Sequence, residues 1–446
     1  MRIPEKPPDY KKEAEGMDIF GLLKDKNISD FVKKANERYY HWDELKYRVP
    51  SKDISPKQVW SIVKIMRNFQ YNDFEFGDET YLYVITDEIT RKLHNFDLHL
   101  AGNIETASGD FPMKGDKKFI LNSLMEEAIA SSQLEGASTT RRLAKDMLRK
   151  NKKPANVSEQ MIVNGYKAML KIRDMISRGG TKLTPEMILE IHRIITEDTL
   201  KDKEDEGRFR DNDDVVVGDN MHIDRIYHKP VDYKKVPGLM EKLCEFANSE
   251  EGPFIHPLLK GIIIHFLIGY IHPFNDGNGR TARALYYWYV LKRGYWMFEY
   301  MPISKRIKRS KSDYDRAYLY TETDDMDLTY FIRFNLIAIE DTLEDMLDYM
   351  AKKQRGLEEA LSLVKKDKEL NFRQADTLKS LMKNPEKRIT IGEIQNTYNV
   401  VYQTARTDLL DLAAMGYLEK TKVKKTWIFR LNKDKTAGLR DKIQEA

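Results

Sequence analysis

The ten residues Ile262–Ile271, IIIHFLIGYI, are the most apolar run in the chain. A run this short cannot span a bilayer, and it carries His265, so it reads as a core helix wrapped by other protein. The helical pattern covers 257–270, and a second one, ALYYWYVLKR, begins at Ala284. Between them stands HPFNDGNGRTAR, residues 272–283, which places Gly277-Asn278-Gly279 in the turn that opens the second helix. The first backbone N–H groups of a helix lack helical partners and sit at the positive end of its dipole, so this turn is an anion site. Two glycines let the backbone approach a phosphate closely.

The side chains around that turn extend the same chemistry. Arg280 and Arg283 lie three apart on one helix face, and arginine suits bidentate contact with phosphate. Asp276 sets a hard oxygen beside the turn, which suits Mg²⁺ bridging two phosphates. His272 can accept a proton near neutral pH. Together they describe a magnesium–polyphosphate cradle with a general base at its edge. The spacing of His256, His265 and His272 matches no zinc signature, and His265 reads better as a hydrogen-bonded core histidine.

His272, Phe274, Asp276, Gly277, Asn278, Gly279, Arg280 and Arg283 match every fixed position of H-x-F-x-[DE]-G-N-G-R-x-x-R. That is the signature of the Fic family, which the chain resembles from about Gly115 to Asn335. The resemblance implies a protein adenylyltransferase, moving AMP from ATP onto a Ser, Thr or Tyr hydroxyl of a target or of itself. His272 would accept the hydroxyl proton, Asp276 would hold Mg²⁺, and Phe274 would anchor the loop. Gly277, Asn278 (backbone and side chain), Gly279, Arg280, Thr281 and Arg283 would bind the phosphates. Tyr314 resembles an adenine-pocket position; a core tyrosine is an equal reading. Some relatives move phosphate, phosphocholine or UMP instead. The kinase-type relative carries lysine where this chain has Gly279, which favours AMP transfer here.

Two further segments resemble parts of that family. Ser131 through Glu135 and Gly136 match the inhibitory pattern [ST]-x-x-x-E-[GN], with Gly136 placed to cap the helix 117–134. A carboxylate at a helix C-terminus is disfavoured by the dipole, so Glu135 calls for a cation. In the family that cation is the second motif arginine, here Arg283, and the pairing implies autoinhibition. In some relatives the same glutamate orients a water that removes AMP; the sequence leaves both readings open. Residues 214–229 read as a hairpin, with Val215, Val216 and Val217 in a strand and Gly218-Asp219-Asn220 in the turn. This resembles the flap on which a target segment docks by strand addition.

The expected fold is mainly α: a Fic helical core with a short β-hairpin flap, then a C-terminal winged helix-turn-helix. The boundaries are 1–114 for an N-terminal helical region, 115–335 for the Fic domain (core about 183–335), 336–371 for a connecting helix and 372–446 for the winged domain. Residues 1–17, charged and with Pro7-Pro8, read as poorly ordered, and 28–100 as mostly helical, with helices also at 158–177, 184–198 and 233–248. In the tail, Tyr402, Gln403, Thr404 and Arg406 open the recognition helix, and Lys420, Lys422, Lys424, Lys425 and Arg430 follow on the wing. DNA and a protein partner are equal readings of this unit. They leave a nucleotide-sensing, DNA-binding regulator as the alternative to an enzyme.

Composition sets the outer bounds. Hydrophobic residues are 41% of 446, enough for a large core. Lys+Arg 75 against Asp+Glu 71 leaves +4, so overall charge argues for neither nucleic acid nor membrane. The single cysteine, Cys244, excludes an internal disulfide and fits a reducing compartment. The N-terminal MRIPEKPPDYKK lacks the apolar stretch of a signal peptide. These readings give a soluble, cytoplasmic protein with no membrane partner, and family likeness adds a homodimer.

Overall fold

The computed structural model describes residues 2–50, 54–101, 105–106, 109–110, 117–179, 182–219, 222–366, 370–398, 400–423, 426–432 and 434. The chain divides into two compact units, one from residues 1–112 with 123–342, the other from 113–122 with 343–446. It is mainly helical, as the sequence implied.

At the centre of the first unit, helix Pro257–Ile271 packs along helix Asn278–Lys292. The first begins with Pro257, whose fixed φ and missing N–H suit a first helical position, and the His256 ring accepts from Leu258 N–H. Every Leu, Ile and Phe on it is buried, and each so covered contributes about 1.5–3 kcal/mol. Gly261 sets the spacing: a Cβ there would lie 3.1 Å from Val290 Cγ1 and 3.2 Å from Tyr289 Cδ1. Helices Lys117–Leu134, Val157–Ser177, Pro185–Thr196 and Val236–Asn248 belong to the same unit from residue 123 onward and follow the expected spans closely. Helix Arg141–Arg149 joins them with Ala144 and Met147 inward.

The N-terminal region departs from expectation twice. Residues 71–84 form an antiparallel hairpin, Tyr71–Phe76 on Glu79–Val84, rather than helix. The reason is an aromatic alternation: Phe74, Phe76, Tyr81 and Tyr83 stand at period two around Gly77-Asp78, where Gly77 takes φ 68°. Nor is the first stretch loose. Pro4 is buried, Trp42 donates to Glu5 (3.1 Å), and Lys57 pairs with Glu13 (3.0 Å). Charged residues here serve as ties rather than as a solvated tail.

In the second unit, helices Phe372–Lys383, Ile391–Tyr398 and Tyr402–Ala414 surround a three-stranded antiparallel sheet. Strand Thr426–Leu431 is central, between Leu418–Val423 and a short strand Ile389–Thr390 that the sequence reading lacked. Leu378, Leu381, Ile394, Leu409, Leu412 and Phe429 form its core. No helix among the described residues is long and apolar enough to cross a membrane.

Candidate active site

The turn between the two central helices is held from three sides. His272 caps the first helix in the left-handed region (φ 53°, ψ 60°), unusual for a side chain with a Cβ. Arg210 pays for that strain: its backbone N–H donates to Pro273 O (2.9 Å) and its Nε to His272 O (2.9 Å). Asn278 closes the loop inward, Nδ2 donating to Phe274 O (2.7 Å) and Oδ1 accepting from Phe274 N–H (2.9 Å). Both polar ends of that side chain are therefore committed to the loop. Phe274 is fully buried and stacks on His192, ring centroids 3.6 Å apart. Gly277 takes φ 86°, and a Cβ there would come within 2.8 Å of Thr196 Cγ2.

A cavity of about 420 Å³ opens above this loop, within the range of small-molecule sites. Its wall includes Glu135, His272, Asn278, Gly279, Arg283 and Tyr314, together with Val217, Gly218, Tyr227 and His228 of the hairpin. Asp276, Gly277, Arg280 and Thr281 stand outside that wall. Thr281 is buried, with its hydroxyl unpaired among the described residues.

His272 Nδ1 lies 3.2 Å from Gly269 O, so it carries the hydrogen and leaves the lone pair on Nε2. Burial lowers the ring's pKa to about 4, against a small upward pull from the Gly269 carbonyl. The ring is neutral near pH 7 and able to accept a proton.

Arg283 is 4% exposed and aims at the end of helix Lys117–Leu134. Its Nε donates to Ser131 Oγ (2.9 Å), and Nη2 to Ser131 O (3.0 Å) and Glu135 Oε1 (2.9 Å). Burial opposes ionisation of Glu135, but Arg283 outweighs it and holds the carboxyl below its ordinary range. A Cβ on Gly279 would fall 2.2 Å from Glu135 Oε1, so the carboxylate rests directly on the glycine turn. Gly136 ends the helix at φ 93°; its N–H donates to Gln133 O, and Ala137 N–H to Ser132 O, the paired bonds of a Schellman cap.

Tyr314 lines the cavity wall and is also a buried ring (8% exposed) whose hydroxyl meets His265 Nε2 at 3.0 Å. The hairpin is displaced from its expected register. Its strands are Val217–Asp219 and His222–His228, so Val215 and Val216 precede the strand and Gly218 lies within it. Val217 pairs with His228, which is anchored to Tyr270 O (2.7 Å) and Glu322 (2.8 Å), and this anchor sets where pairing begins. Asn220 lies outside the described residues.

Residues 182–290 match the Fic/DOC family. The chain carries a Fic/DOC domain. Over 163 residues it is 29% identical to a protein adenylyltransferase Fic of Drosophila willistoni, covering 36% of this chain and 29% of that protein. The homologous protein of Drosophila melanogaster is 30% identical over 162 residues, 36% of this chain and 29% of its own length. The match thus spans under a third of these relatives. A Fic family protein from Desulfovibrio desulfuricans G20 superposes with TM-score 0.50 at 18% identity, over 78% of this chain and 97% of that one. A segment of Fic-1 from C. elegans gives 0.50 at 15% identity, over 77% and 92%. At these identities the likeness is one of fold.

The Fic domain match includes His192 and Arg210, which no motif in the sequence singled out; Glu135 and Tyr314 fall outside it. Two observations test whether the loop fits a magnesium-bound polyphosphate. Arg280 is 3% exposed and donates through Nη1 to Ile195 O (3.1 Å), yet Nε and Nη2 find no hydrogen bond among the described residues. A buried guanidinium with spare donors suits an anion. The Asp276 side chain is 60% exposed; Oδ1 accepts from Gly277 N–H and faces Arg280 (3.4 Å), while Oδ2 bonds nothing among the described residues. Among the described residues no group of three acidic, His or Cys side chains gathers there, so an ion would rest on Asp276 and on phosphate oxygens, the usual manner of Mg²⁺. The residues present fit.

Proposed function

We propose that this chain is a protein adenylyltransferase held inactive by Glu135. The observation that carries the proposal is the placement of Glu135 Oε1, 2.9 Å from Arg283 Nη2 and directly over Gly279, at the mouth of a nucleotide-sized cavity. That carboxylate occupies the donors a terminal phosphate needs, so ATP enters in a pose unsuited to attack.

With Glu135 displaced, Arg283 and the turn amides bind the triphosphate, and Arg280 offers its spare donors. Asp276 would hold Mg²⁺, which would supply charge neutralisation to the phosphates. The target's hydroxyl oxygen attacks the α-phosphorus, the bond to the β-phosphate bridging oxygen breaks, and pyrophosphate leaves. The hydroxyl proton passes to His272 Nε2. Fixed donors around a phosphoryl centre are commonly the largest contribution to such catalysis. Tyr314 borders the adenine end, and the Val217–His228 hairpin presents a strand edge to a Ser, Thr or Tyr segment of the target.

Residues 115–335 make up the functional Fic unit in this reading, with 1–114 as support, 336–371 as connector and 372–446 as a winged helix-turn-helix. A second reading has one observation in its favour. Gln403 and Arg406 are exposed at the start of helix Tyr402–Ala414, with Thr404 half-buried, and Lys420, Lys422 and Arg430 are exposed on the adjoining strands. That basic face suits a DNA backbone or an acidic protein, and makes the chain a nucleotide-sensing regulator if transfer is absent. A homodimer in a reducing, cytoplasmic setting belongs to the same proposal.

The test uses ATP labelled at the α- or γ-phosphate, with Mg²⁺, on wild type, Glu135→Gly and Glu135→Gly/His272→Ala, reading self-modification and modification of host lysate. Expected are α-label on Glu135→Gly, little on wild type and none on the double variant. Transfer of γ-label means a kinase. ATP binding without transfer to any protein rejects the enzyme and favours the regulator.

A further inference from the structure

His192 lies on the last turns of helix Pro185–Thr196, and its side chain is fully buried. Each ring atom that can bond does so. Gly207 N–H donates to Nδ1 (3.0 Å), which makes Nδ1 the acceptor and puts the hydrogen on Nε2. Nε2 then donates to the backbone oxygen of Asp276 (2.9 Å). The ring face stacks on Phe274, interplanar angle 5°. Its helix contacts the loop twice more, through Ile195 O beneath Arg280 and Thr196 Cγ2 beneath Gly277.

Resting on the nucleotide-binding reading above, we propose that His192 is a positioning residue, whose Nε2–H fixes the Asp276 carbonyl and thereby aims the Asp276 carboxylate at the metal. The Asp276 peptide is the one link between the left-handed Gly277 and the rest of the loop. Residue 276 is also exposed, and no other side chain bonds its backbone oxygen among the described residues. Without the brace, the carboxylate keeps its chemistry but loses its direction. A partner one step behind a metal ligand commonly carries 10–100-fold of metal affinity.

The two ring nitrogens can be separated by substitution. Gln reaches as far as Nε2 and keeps a donor for Asp276 O; Asn reaches only to Nδ1 and keeps an acceptor for Gly207; Phe keeps only the stack on Phe274. Each is placed in the Glu135→Gly full chain. Calorimetry reads ATP affinity with Mg²⁺ and with chelator, and glycine-selective ¹⁵N spectra read the Gly277 amide without nucleotide. His192→Gln is expected to hold the Gly277 amide in place and keep the Mg²⁺-dependent gain within about threefold. His192→Asn and His192→Phe are expected to shift that amide and to lose about tenfold of the gain, with chelator affinity unchanged. An unmoved Gly277 amide in Asn and Phe overturns the proposal, as does equal loss in all three variants together with chelator affinity and melting temperature, the pattern of a core residue only. If the amide moves as expected but the His192 parent shows no Mg²⁺-dependent gain, the brace stands and the nucleotidyltransferase reading fails.

Discussion

The charge state of His272 follows from where its ring sits. Burial takes the pKa to about 4, so the ring stays neutral through the physiological range. An exposed histidine base would lose activity as pH falls below about 6.5. On the proposed adenylyl-transfer function, the Glu135→Gly variant should instead keep its transfer rate nearly level from pH 7.5 to 5.5, with the acid limb near or below pH 5. A single-turnover rate profile checks this, and an acid limb centred at 6.5 would show a ring more solvated than the structure has it. Glu135 and Arg283 form the other residue-scale pair. The helix C-terminus at Glu135 called for a cation, the family resemblance named Arg283, and the fold brings the two within 2.9 Å.

At the scale of elements, two glycines in left-handed conformations have different surroundings. Nothing lies within 4 Å of a Cβ built on Gly136, so Gly136→Ala meets only the backbone cost of about 1–2 kcal/mol. Gly277→Ala adds a collision with Thr196 and the His192 ring. Gly136→Ala should therefore lower chemical-denaturation stability by about that amount and leave ATP binding in the Glu135→Gly background intact. Gly277→Ala should abolish ATP binding measured by calorimetry. Equal effects of the two would mean that the loop is not moulded by helix Pro185–Thr196. The hairpins teach a related lesson. Alternation in Tyr71–Val84 is plain once sought, whereas the Val215–Val217 run favours strand at all three positions and only the His228 anchor selects Val217 as the first to pair.

Across the whole molecule, buried histidines set the response to acid. His41, His192 and His272 have pKa values lowered to about 4, and His265 to about 3, burial being the first cause in each. Such groups bind protons in the unfolded chain before they do in the folded one. Their contribution is complete above about pH 6.5 and is lost as pH falls from there toward 4, on the order of 2–3 kcal/mol each for the fully buried rings of His41, His192 and His265. Glu127, shifted upward by burial, opposes this in part. All nine histidines lie in the sequence before residue 273, and the unit of residues 113–122 and 343–446 has none. Calorimetry at pH 7.5 and 5.0 should therefore show the larger unit's transition falling by many degrees while the tail's stays in place. A parallel fall of both would contradict it.

The sequence by itself determined the parts of this protein that depend on local pattern. The apolar run 262–271 had to be a core helix, Gly277–Gly279 had to open the next one, and the thirteen residues ending at Arg283 placed base, carboxylate, amides and cations within one loop's reach. The end of helix Lys117–Leu134 followed from the cap at Gly136, because caps act within a few residues. Tertiary structure decided what those residues touch. His192 comes from 80 residues before His272 and Arg210 from 62 before it, and neither carries a local signal, since a brace is defined by the atom it meets. The Asn278 side chain, expected toward phosphate, is spent on the Phe274 backbone, because a buried amide takes the nearest pair of complementary backbone groups. Close packing, rather than pattern, also drew Lys64 onto Asp324 (2.7 Å) and Tyr39 and Tyr71 onto Asp327 (2.7 Å each). Such pairs lie more than 250 residues apart, and only the folded chain makes them neighbours.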